Sequence, residues 1–418
     1  MKYFILFILL WIPTKTLGDY ILIPMDQAQK DHLKAYGMAY WALTKDIEVD
    51  WLLNYRGGSF LTESLPSLQN ECKIRNISFE LISNNSAALI KDEVENTGTN
   101  MDLVKLQKAP KIAVYTPKNK LPWDDAVTLV LTYAEIPYDK IYDEEVLKGQ
   151  LPLYDWLHLH HEDFTGQYSR FYAAFRNASW YQEDVAENEK MAQKLGFKKV
   201  SEMKLEVVHR IRDFTAGGGF LFAMCCGADT YDIALAASGI DICSEMFDGD
   251  PANPNAQNLL NFNNCFAFQN FQLETNPFAP EFSSINFSPP ARSIEPQEDF
   301  FTLFTFSAKY DPIPSMLTQN HENLIKGFLG KTTAFHKEYI KPNVIIMGEN
   351  KGLNEARYIH GDFGKGTWTF YSGHDPEDYQ HQIGDPPTDL SLHPNSPGYR
   401  LILNNILFPA AKKKKQKT

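Results

Sequence analysis

The stretch Phe214-Thr-Ala-Gly-Gly-Gly-Phe-Leu-Phe-Ala-Met-Cys-Cys-Gly-Ala-Asp229 decides the fold that we predict for this chain. Its three glycines predict the end of a helix, and the five apolar residues from Phe220 predict a buried strand. The strand leads Cys225 into a tight Cys-x-Gly turn, and a second helix is predicted from Thr230 to Ala237. A strand that turns sharply into a helix lifts one side chain above the end of a sheet, where a nucleophile would be exposed. A helix N-terminus also lowers a thiol pKa, so Cys225 is a candidate nucleophile.

Short apolar strands alternate with helical patterns on both sides of this stretch. Strands are predicted at 111–115, 138–142 and 154–158, and an amphipathic helix at 202–214 leads into the Cys225 strand. Such alternation is typical of parallel sheets built from βαβ units. We therefore predict an α/β fold, with a flavodoxin-like parallel sheet, helices on both faces and an antiparallel insertion.

The sequence divides into six predicted segments. They are a signal peptide at 1–18, an N-terminal α/β segment at 19–108, the first part of the core at 109–250, an insertion with antiparallel strands at 251–339, the closing strands and helix of the core at 340–409, and a basic disordered tail at 410–418. Within them we expect βαβ units at 20–105, an alternating strand at 266–273, a strand at 300–306, a parallel strand at 344–347, a hairpin of 357–360 with 366–371, and a last helix at 399–407.

Both ends of the chain carry signals that are separate from the fold. Lys2, the apolar run from Tyr3 to Ile12 and the small residues before Asp19 predict a cleaved secretory signal, with a retained anchor as the alternative. No later segment has eighteen uninterrupted apolar residues, so no stable membrane span is expected after cleavage. The protein is therefore predicted to be exported, and periplasmic if the organism is Gram-negative. The net charge of -12 argues against a nucleic-acid partner.

The five cysteines do not form a dense disulfide framework. At least one thiol must stay unpaired, and the adjacent residues Cys225 and Cys226 rarely reach disulfide geometry. A free thiol in an oxidising compartment is either buried or useful. Burial suits Cys226 better than Cys225.

A cysteine nucleophile needs a base, and the base needs a group that holds its tautomer. The best candidates lie in Tyr371-Ser-Gly-His-Asp-Pro-Glu377, after a predicted strand. His374 would accept the thiol proton, and Glu377 or Asp375 would orient its ring. The alternative is a loop histidine capped by neighbouring acids.

A second cluster, His158-Leu-His-His-Glu-Asp163, follows another predicted strand. Strand alternation puts His158 and His160 on one face and His161 on the other. Ligands of α/β proteins bind at the carboxyl ends of strands. The pocket is therefore predicted to include His160, His161 and Asp375, with backbone N–H groups of Thr165, Gly166, Cys226 and Gly227 as an oxyanion hole.

The two loops together hold eight potential metal ligands. They are His160, His161, Glu162, Asp163, His374, Asp375, Glu377 and His381. Nitrogen and oxygen donors favour zinc, but the spacing matches no compact metal motif. We assign no metal and no cofactor from the sequence.

Two segments carry a resemblance to a known family. Gly219-Phe-Leu-Phe-Ala-Met-Cys-Cys-Gly227 and Phe363-Gly-Lys-Gly-Thr-Trp-Thr-Phe-Tyr-Ser-Gly-His374 resemble the class I glutamine amidotransferase-like superfamily, particularly its ThuA-like branch. The resemblance implies a Cys-His-Glu amide hydrolase or amidotransferase. The whole chain also resembles exported bacterial proteins labelled asparagine synthetase B. ATP-dependent asparagine synthesis is not expected, because the Ser-Gly-Gly-x-Asp-Ser loop is absent from the sequence.

Three functions follow as hypotheses. The first is amide chemistry at Cys225 with His374 and Glu377. The second is a non-catalytic module that binds a small polar molecule or a carbohydrate, since aromatic residues near the loops suit sugar stacking: Tyr168, Phe171, Tyr172, Trp180 and Tyr371. The third is a metal-dependent hydrolase.

Overall fold

The computed structural model describes residues 19–117, 125–287, 294–295, 297–379 and 385–412. The predicted signal peptide, His381 and all but the first residues of the predicted basic tail lie outside the described residues.

Sixteen strands and thirteen helices make up the regular structure of the described residues. In chain order they are β1 (Tyr20–Ile23), α1 (His32–Leu43), β2 (Val49–Leu53), β3 (Ser59–Glu63), α2 (Pro66–Ile74), β4 (Glu80–Ile82), α3 (Asn84–Glu95), β5 (Asp102–Leu106), β6 (Ile112–Tyr115), α4 (Ala126–Tyr133), β7 (Asp139–Ile141), α5 (Asp143–Leu147), β8 (Trp156–Leu159), α6 (Tyr172–Phe175), α7 (Ser179–Lys194), α8 (Val200–Gly217), β9 (Phe220–Met224), α9 (Cys226–Ala236), α10 (Glu245–Asp248), α11 (Ala256–Leu259), β10 (Asn286–Phe287), β11 (Phe300–Leu303), α12 (Pro312–Thr318), β12 (Leu324–Lys326), β13 (Ala334–His336), β14 (Ile345–Asn350), β15 (Glu355–Phe363), β16 (Gly366–Tyr371) and α13 (Pro397–Leu407). None of these helices is both long enough and apolar enough to cross a bilayer.

The centre of the molecule is a parallel sheet in the order β7-β6-β8-β9-β16. Counted along the chain, this is the 2-1-3-4-5 order of flavodoxin-like folds, so the α/β prediction is confirmed. Every residue of β9 is buried. Phe222 and Met224 pack into one hydrophobic cluster and Ala223 and Cys225 into another, so both faces of the sheet are covered.

The large sheet continues beyond β16 with antiparallel strands. The predicted hairpin is confirmed as β15 and β16, and the last helix as α13. The prediction of a parallel strand at 344–347 is wrong, because β14 pairs antiparallel with both β11 and β15. An apolar run alone does not reveal the direction of its neighbours.

The N-terminal sheet is a second correction. It has the order β4-β1-β3-β2-β5, and all its pairs are antiparallel, not the parallel βαβ units that we predicted. The cause is the short connection between β2 and β3, where Asn54, Arg56, Gly57 and Gly58 all have positive φ. A connection this short can only join antiparallel strands.

The insertion also differs from its prediction at 266–273. Within the described residues this segment forms only isolated bridges, Phe268 with Ile340 and Leu273 with Ser283. The buried carboxylate of Asp232 accepts hydrogen bonds from three successive backbone N–H groups at 266–268, at 2.7, 2.7 and 2.9 Å. Those groups are therefore not free to build a strand ladder. The strand predicted at 300–306 is confirmed as β11, although it is shorter.

The N-terminal sheet is joined to α13 by a buried polar network. Arg400 is fully buried and donates to the Tyr36 hydroxyl at 3.0 Å, to the carbonyl of Met25 at 3.2 Å and to the carbonyl of Gly57. His32 stacks on His321 beside it, with ring centroids 4.2 Å apart. This network fixes α13 against α1 and against the loops that follow β1 and β2.

Candidate active site

Cys225 occupies a strained turn between β9 and α9. Its φ of 49° and ψ of -138° lie where a side chain other than glycine is rarely found. Such strain costs about 1–3 kcal/mol and collects at functional sites. The neighbouring strands β8 and β16 run parallel to β9, and the Cys225 amide donates to the Tyr371 carbonyl at 3.3 Å. The loops that follow β8 and β16 therefore meet above the thiol.

Gly227 allows this turn to pack tightly. Its amide donates to the carbonyl of His160 at 2.7 Å, and a Cβ at this position would lie only 2.5 Å from that oxygen. The Cys226 thiol donates to the carbonyl of His161 at 2.9 Å. The first turn of α9 thus holds the backbone of both histidines against the elbow.

Three imidazoles surround the Cys225 thiol. His161 and His374 form hydrogen bonds with it, and their ring centroids are 4.1 Å apart. His160 stacks on His161 at 3.7 Å and lies 5.2 Å from the His374 ring. The thiol itself is buried, whereas His161 and His374 are partly exposed. Solvent and substrate would therefore reach the sulfur past these two rings.

The electrostatics of this cluster favour a thiolate. Burial opposes ionisation of Cys225, but the hydrogen bond with Cys226, the charge of His374 and the hydrogen bonds with His161 and His374 outweigh it and hold the pKa of the thiol well below its usual value. Burial and the charges of His160 and His374 lower the pKa of His161 well below its usual value. Closely packed imidazoles cannot all be charged, so His161 is the neutral partner of the thiol.

Asp125 anchors the cluster from the loop after β6. Its Oδ1 lies 3.3 Å from Nδ1 of His160 and 3.4 Å from Nε2 of His158, and it also caps α4 through the amides of Val127 and Thr128. Burial raises the pKa of this carboxyl, but the two histidines more than offset it and hold the pKa well below its usual value. Asp125 thus orients His160, whose ring packs on His161.

In the sequence, Asp124 and Asp125 stand at the start of a helical pattern that runs to about Tyr133, where acidic residues suit the helix dipole, so Asp125 was not predicted as a site residue. Its position after β6, a neighbour of β8 in the parallel sheet, was the signal for a functional role. His158 is not at the thiol side of the cluster, because its Nδ1 contacts the Phe222 carbonyl at 3.1 Å.

The predicted orienting acids of His374 have other partners. The Glu377 carboxylate lies 3.3 Å from Nδ1 of His393. Asp375 accepts hydrogen bonds from the Glu377 amide at 2.9 Å and from the Thr388 hydroxyl. The structure therefore brings Cys225 and His374 together but places the Glu377 carboxylate beside a different histidine, His393.

The predicted oxyanion donors are mostly committed elsewhere. The Thr165 amide donates to Asp163 at 2.7 Å, and the Gly227 amide is bound to the His160 carbonyl. Gly166, with a φ of 78°, packs against the backbone of Ser201. Since the first N–H groups of a helix lack intrahelical acceptors, the Cys226 amide is the predicted donor that fits best.

Two buried charges that the sequence did not indicate lie near the elbow. The Asp229 carboxylate accepts hydrogen bonds from Thr332 at 3.0 Å and Asn286 at 3.2 Å, and burial raises its pKa to about 7. The Lys331 ammonium donates to the Ser169 carbonyl and lies 4.5 Å from the Phe171 ring centroid. Burial lowers the pKa of Lys331, against the charges of Cys226, Asp163, Cys225 and Asp229.

Several groups of side chains in the described residues could hold a metal ion. One nitrogen from each of His160, His161 and His374 lies within 4.8 Å of the others. Asp241, Cys243 and Asp248 form another group, but the Lys199 ammonium already fills it, 2.6 Å from Asp241 and 3.1 Å from Asp248. A third group, Asp125 with His158 and His160, is fully buried and shares His160 with the first. The three histidines are the better candidate, because His161 and His374 are partly exposed and an ion can reach them.

No protein-family model matches this chain, and no curated protein matches it. Solved structures with some similarity include the cytoplasmic protein STM3548 from Salmonella typhimurium, at 10% identity and a TM-score of 0.36 over 72% of this chain and 100% of that chain. The cytoplasmic protein STM1381 from Salmonella typhimurium LT2 has 13% identity and a TM-score of 0.34 over the same shares. The β-galactosidase Gan42B from G. stearothermophilus has 11% identity and a TM-score of 0.28 over 64% of this chain and 28% of that chain. Similarities of this size carry no argument about activity.

Proposed function

We propose that this protein is an exported amide hydrolase or amidotransferase that uses Cys225 as its nucleophile. The observation that carries the proposal is the thiol on a strained strand-to-helix turn, hydrogen-bonded to two imidazoles. A thiolate held in this way is ready to attack a carbonyl carbon. Export rests on the sequence signal at 1–18, and membership of the class I glutamine amidotransferase-like superfamily rests on the two matching segments.

The residues divide the reaction among them. The Cys225 thiolate attacks the amide carbonyl, and the developing oxyanion is stabilised by the Cys226 amide. His374 donates its proton to the leaving nitrogen as the C–N bond breaks, which leaves a thioester on Cys225. The same imidazole then takes a proton from the water that hydrolyses the thioester. His161 stays neutral and holds the thiolate, while Asp125 and His160 position His161.

A primary amide is the substrate class that suits the site best. The thiol is buried beneath two imidazoles, so a small leaving group such as ammonia would be favoured over a bulky one. Lys331 is close enough to interact electrostatically with Cys225 and Cys226, so an anionic group on the substrate would be favoured there.

Ammonia release from a panel of primary amides, including glutamine, tests the proposal with the full mature chain. Cys225→Ser should abolish release, whereas Cys72→Ser should retain it, since that buried cysteine lies on α2 in the N-terminal segment. A diazoketone analogue of glutamine should alkylate the wild-type chain once, at Cys225, and the mass of the chain should increase by that of one adduct. Equal activity in the Cys225→Ser variant would overturn the assignment.

A further inference from the structure

We propose that His160, His161, His374 and Cys225 form a tetrahedral site for a divalent transition metal such as Zn²⁺, and that the bound metal silences the nucleophile. The metal site stands on the geometry of the four side chains, and only its inhibitory role rests on the function proposed above. The site would thus have two states: a metal-free state in which the Cys225 thiolate can react, and a metal-bound state in which it cannot.

The spacing of the four side chains suits this coordination. With Zn–N bonds of about 2.0 Å and a Zn–S bond of about 2.3 Å, two nitrogens of a tetrahedral site lie about 3.4 Å apart, and a nitrogen and the sulfur about 3.6 Å apart. The three imidazoles already offer nitrogens within 4.8 Å of one another, and the thiol forms hydrogen bonds with two of them. The thiol therefore adjoins the three-nitrogen group through His161 and His374.

The surroundings of His160 supply an independent observation. Asp125 faces its Nδ1 at 3.3 Å, so Nε2 is the nitrogen left for a metal. His160 is only 2% exposed, and among the described residues neither of its ring nitrogens has a hydrogen-bond partner, although Nδ1 lies beside the Asp125 carboxylate. A buried imidazole with a carboxylate behind one nitrogen and nothing on the other is the usual arrangement of a metal-ligating histidine.

The donor set also selects the kind of ion. Three imidazole nitrogens and one thiolate favour Zn²⁺ or Co²⁺ over Mg²⁺ and Ca²⁺, which prefer oxygen ligands. Binding forms a metal–sulfur bond and metal–nitrogen bonds, and the proton shared by Cys225 and His374 is released to solvent. The sulfur lone pair is then engaged, and His374 can no longer donate a proton. A metal-loaded chain therefore cannot attack an amide.

Titration of the chelator-treated full chain with Co²⁺ tests the site directly. We expect one ion per chain and a thiolate-to-cobalt charge-transfer absorption that Cys225→Ser removes. His160→Ala and His161→Ala should weaken binding by about 10- to 100-fold. His209→Ala is the matched control, because that histidine contacts Ser238 on a different part of the structure. No saturable binding, or a charge-transfer band that survives Cys225→Ser, would overturn the site even if the histidine variants fold poorly.

The inhibitory role has its own readout. One equivalent of Zn²⁺ should slow alkylation of Cys225 by at least about tenfold, and a chelator should restore it. Fast alkylation of Cys225 together with no metal binding would refute the metal site and would still support Cys225 as the nucleophile. Tight metal binding together with slow alkylation of the metal-free chain would refute Cys225 as the nucleophile and would still support the metal site.

Discussion

Replacing Gly227 with alanine tests whether the contact between the elbow and the loop after β8 builds the site. The new Cβ would lie 2.5 Å from the carbonyl oxygen of His160, at least about 0.9 Å closer than an ordinary van der Waals contact. Relief of this overlap costs about 1–3 kcal/mol. It also weakens the 2.7 Å hydrogen bond from the Gly227 amide to the same oxygen, which contributes about 1 kcal/mol in the wild type. The preference of a helix for alanine over glycine returns at most about 1 kcal/mol. The overlap wins, so we expect a net loss of about 1–3 kcal/mol.

The matched control is Gly217→Ala at the end of α8. A Cβ there meets no atom within 4 Å, so this variant should be as stable as the wild type or slightly more stable. We expect Gly227→Ala to lower the melting temperature by a few degrees relative to this control. It should also slow alkylation of Cys225, because the backbone of His160 and His161 must move away from the thiol. If the two variants melt together and alkylate at the same rate, the packing described for the elbow is incorrect.

Three further predictions address the base, the acid response and the network around α13. His374→Asn should raise the pKa of Cys225 and so reduce the fraction of thiolate at pH 7. Since a thiolate of higher pKa is also more nucleophilic, the rate of Cys225 alkylation should fall by only about tenfold. Glu377→Gln should change this rate less than about twofold. Equal effects of the two variants would contradict the pairing of Glu377 with His393. Burial and the charge of Arg400 lower the pKa of His32 to about 4, below the ordinary value of 6.5, so the unfolded chain binds the extra proton first. The contribution of His32 to the free energy of unfolding should therefore fall between pH 6.5 and pH 4 by at most roughly 3 kcal/mol, and His32→Gln should remove this share of the decline in a plot of urea midpoint against pH. Arg400→Met leaves buried acceptors without a donor and should cost about 2–4 kcal/mol in urea unfolding, whereas Arg210→Met, in an exposed ion pair, should cost less than about 1 kcal/mol.

The parallel core could be predicted from the sequence because its strands are short apolar runs separated by helical periods. β9 and α8 follow directly from the residues around Gly217 to Gly219, and the helix does end at Gly217, with Gly218 as its C-cap at a φ of 122°. The N-terminal sheet could not be predicted in the same way. Its direction depends on the left-handed residues between β2 and β3, which apolar periodicity does not report.

The candidate site shows the same division. The thiol and His374 lie at the ends of neighbouring parallel strands, and topology alone brings such ends together. The partner of a loop carboxylate depends instead on which loops fold over it, so sequence proximity suggested Glu377 for His374 although the structure pairs Glu377 with His393. Asp125 was overlooked because its capping role on α4 already explained an acidic residue at that position.

The central claim is that Cys225 is a thiolate held by imidazoles. The most direct measurement is the rate of iodoacetamide labelling at each cysteine of the metal-free native chain, from pH 5 to pH 9, by peptide mass spectrometry. We predict that Cys225 is labelled fastest and that its rate stays nearly constant across this range, because burial raises the pKa of Cys72 to about 12 while that of Cys225 is held low. A Cys225 rate that is no faster than that of Cys72, or one that rises tenfold per pH unit up to pH 9, would contradict the account.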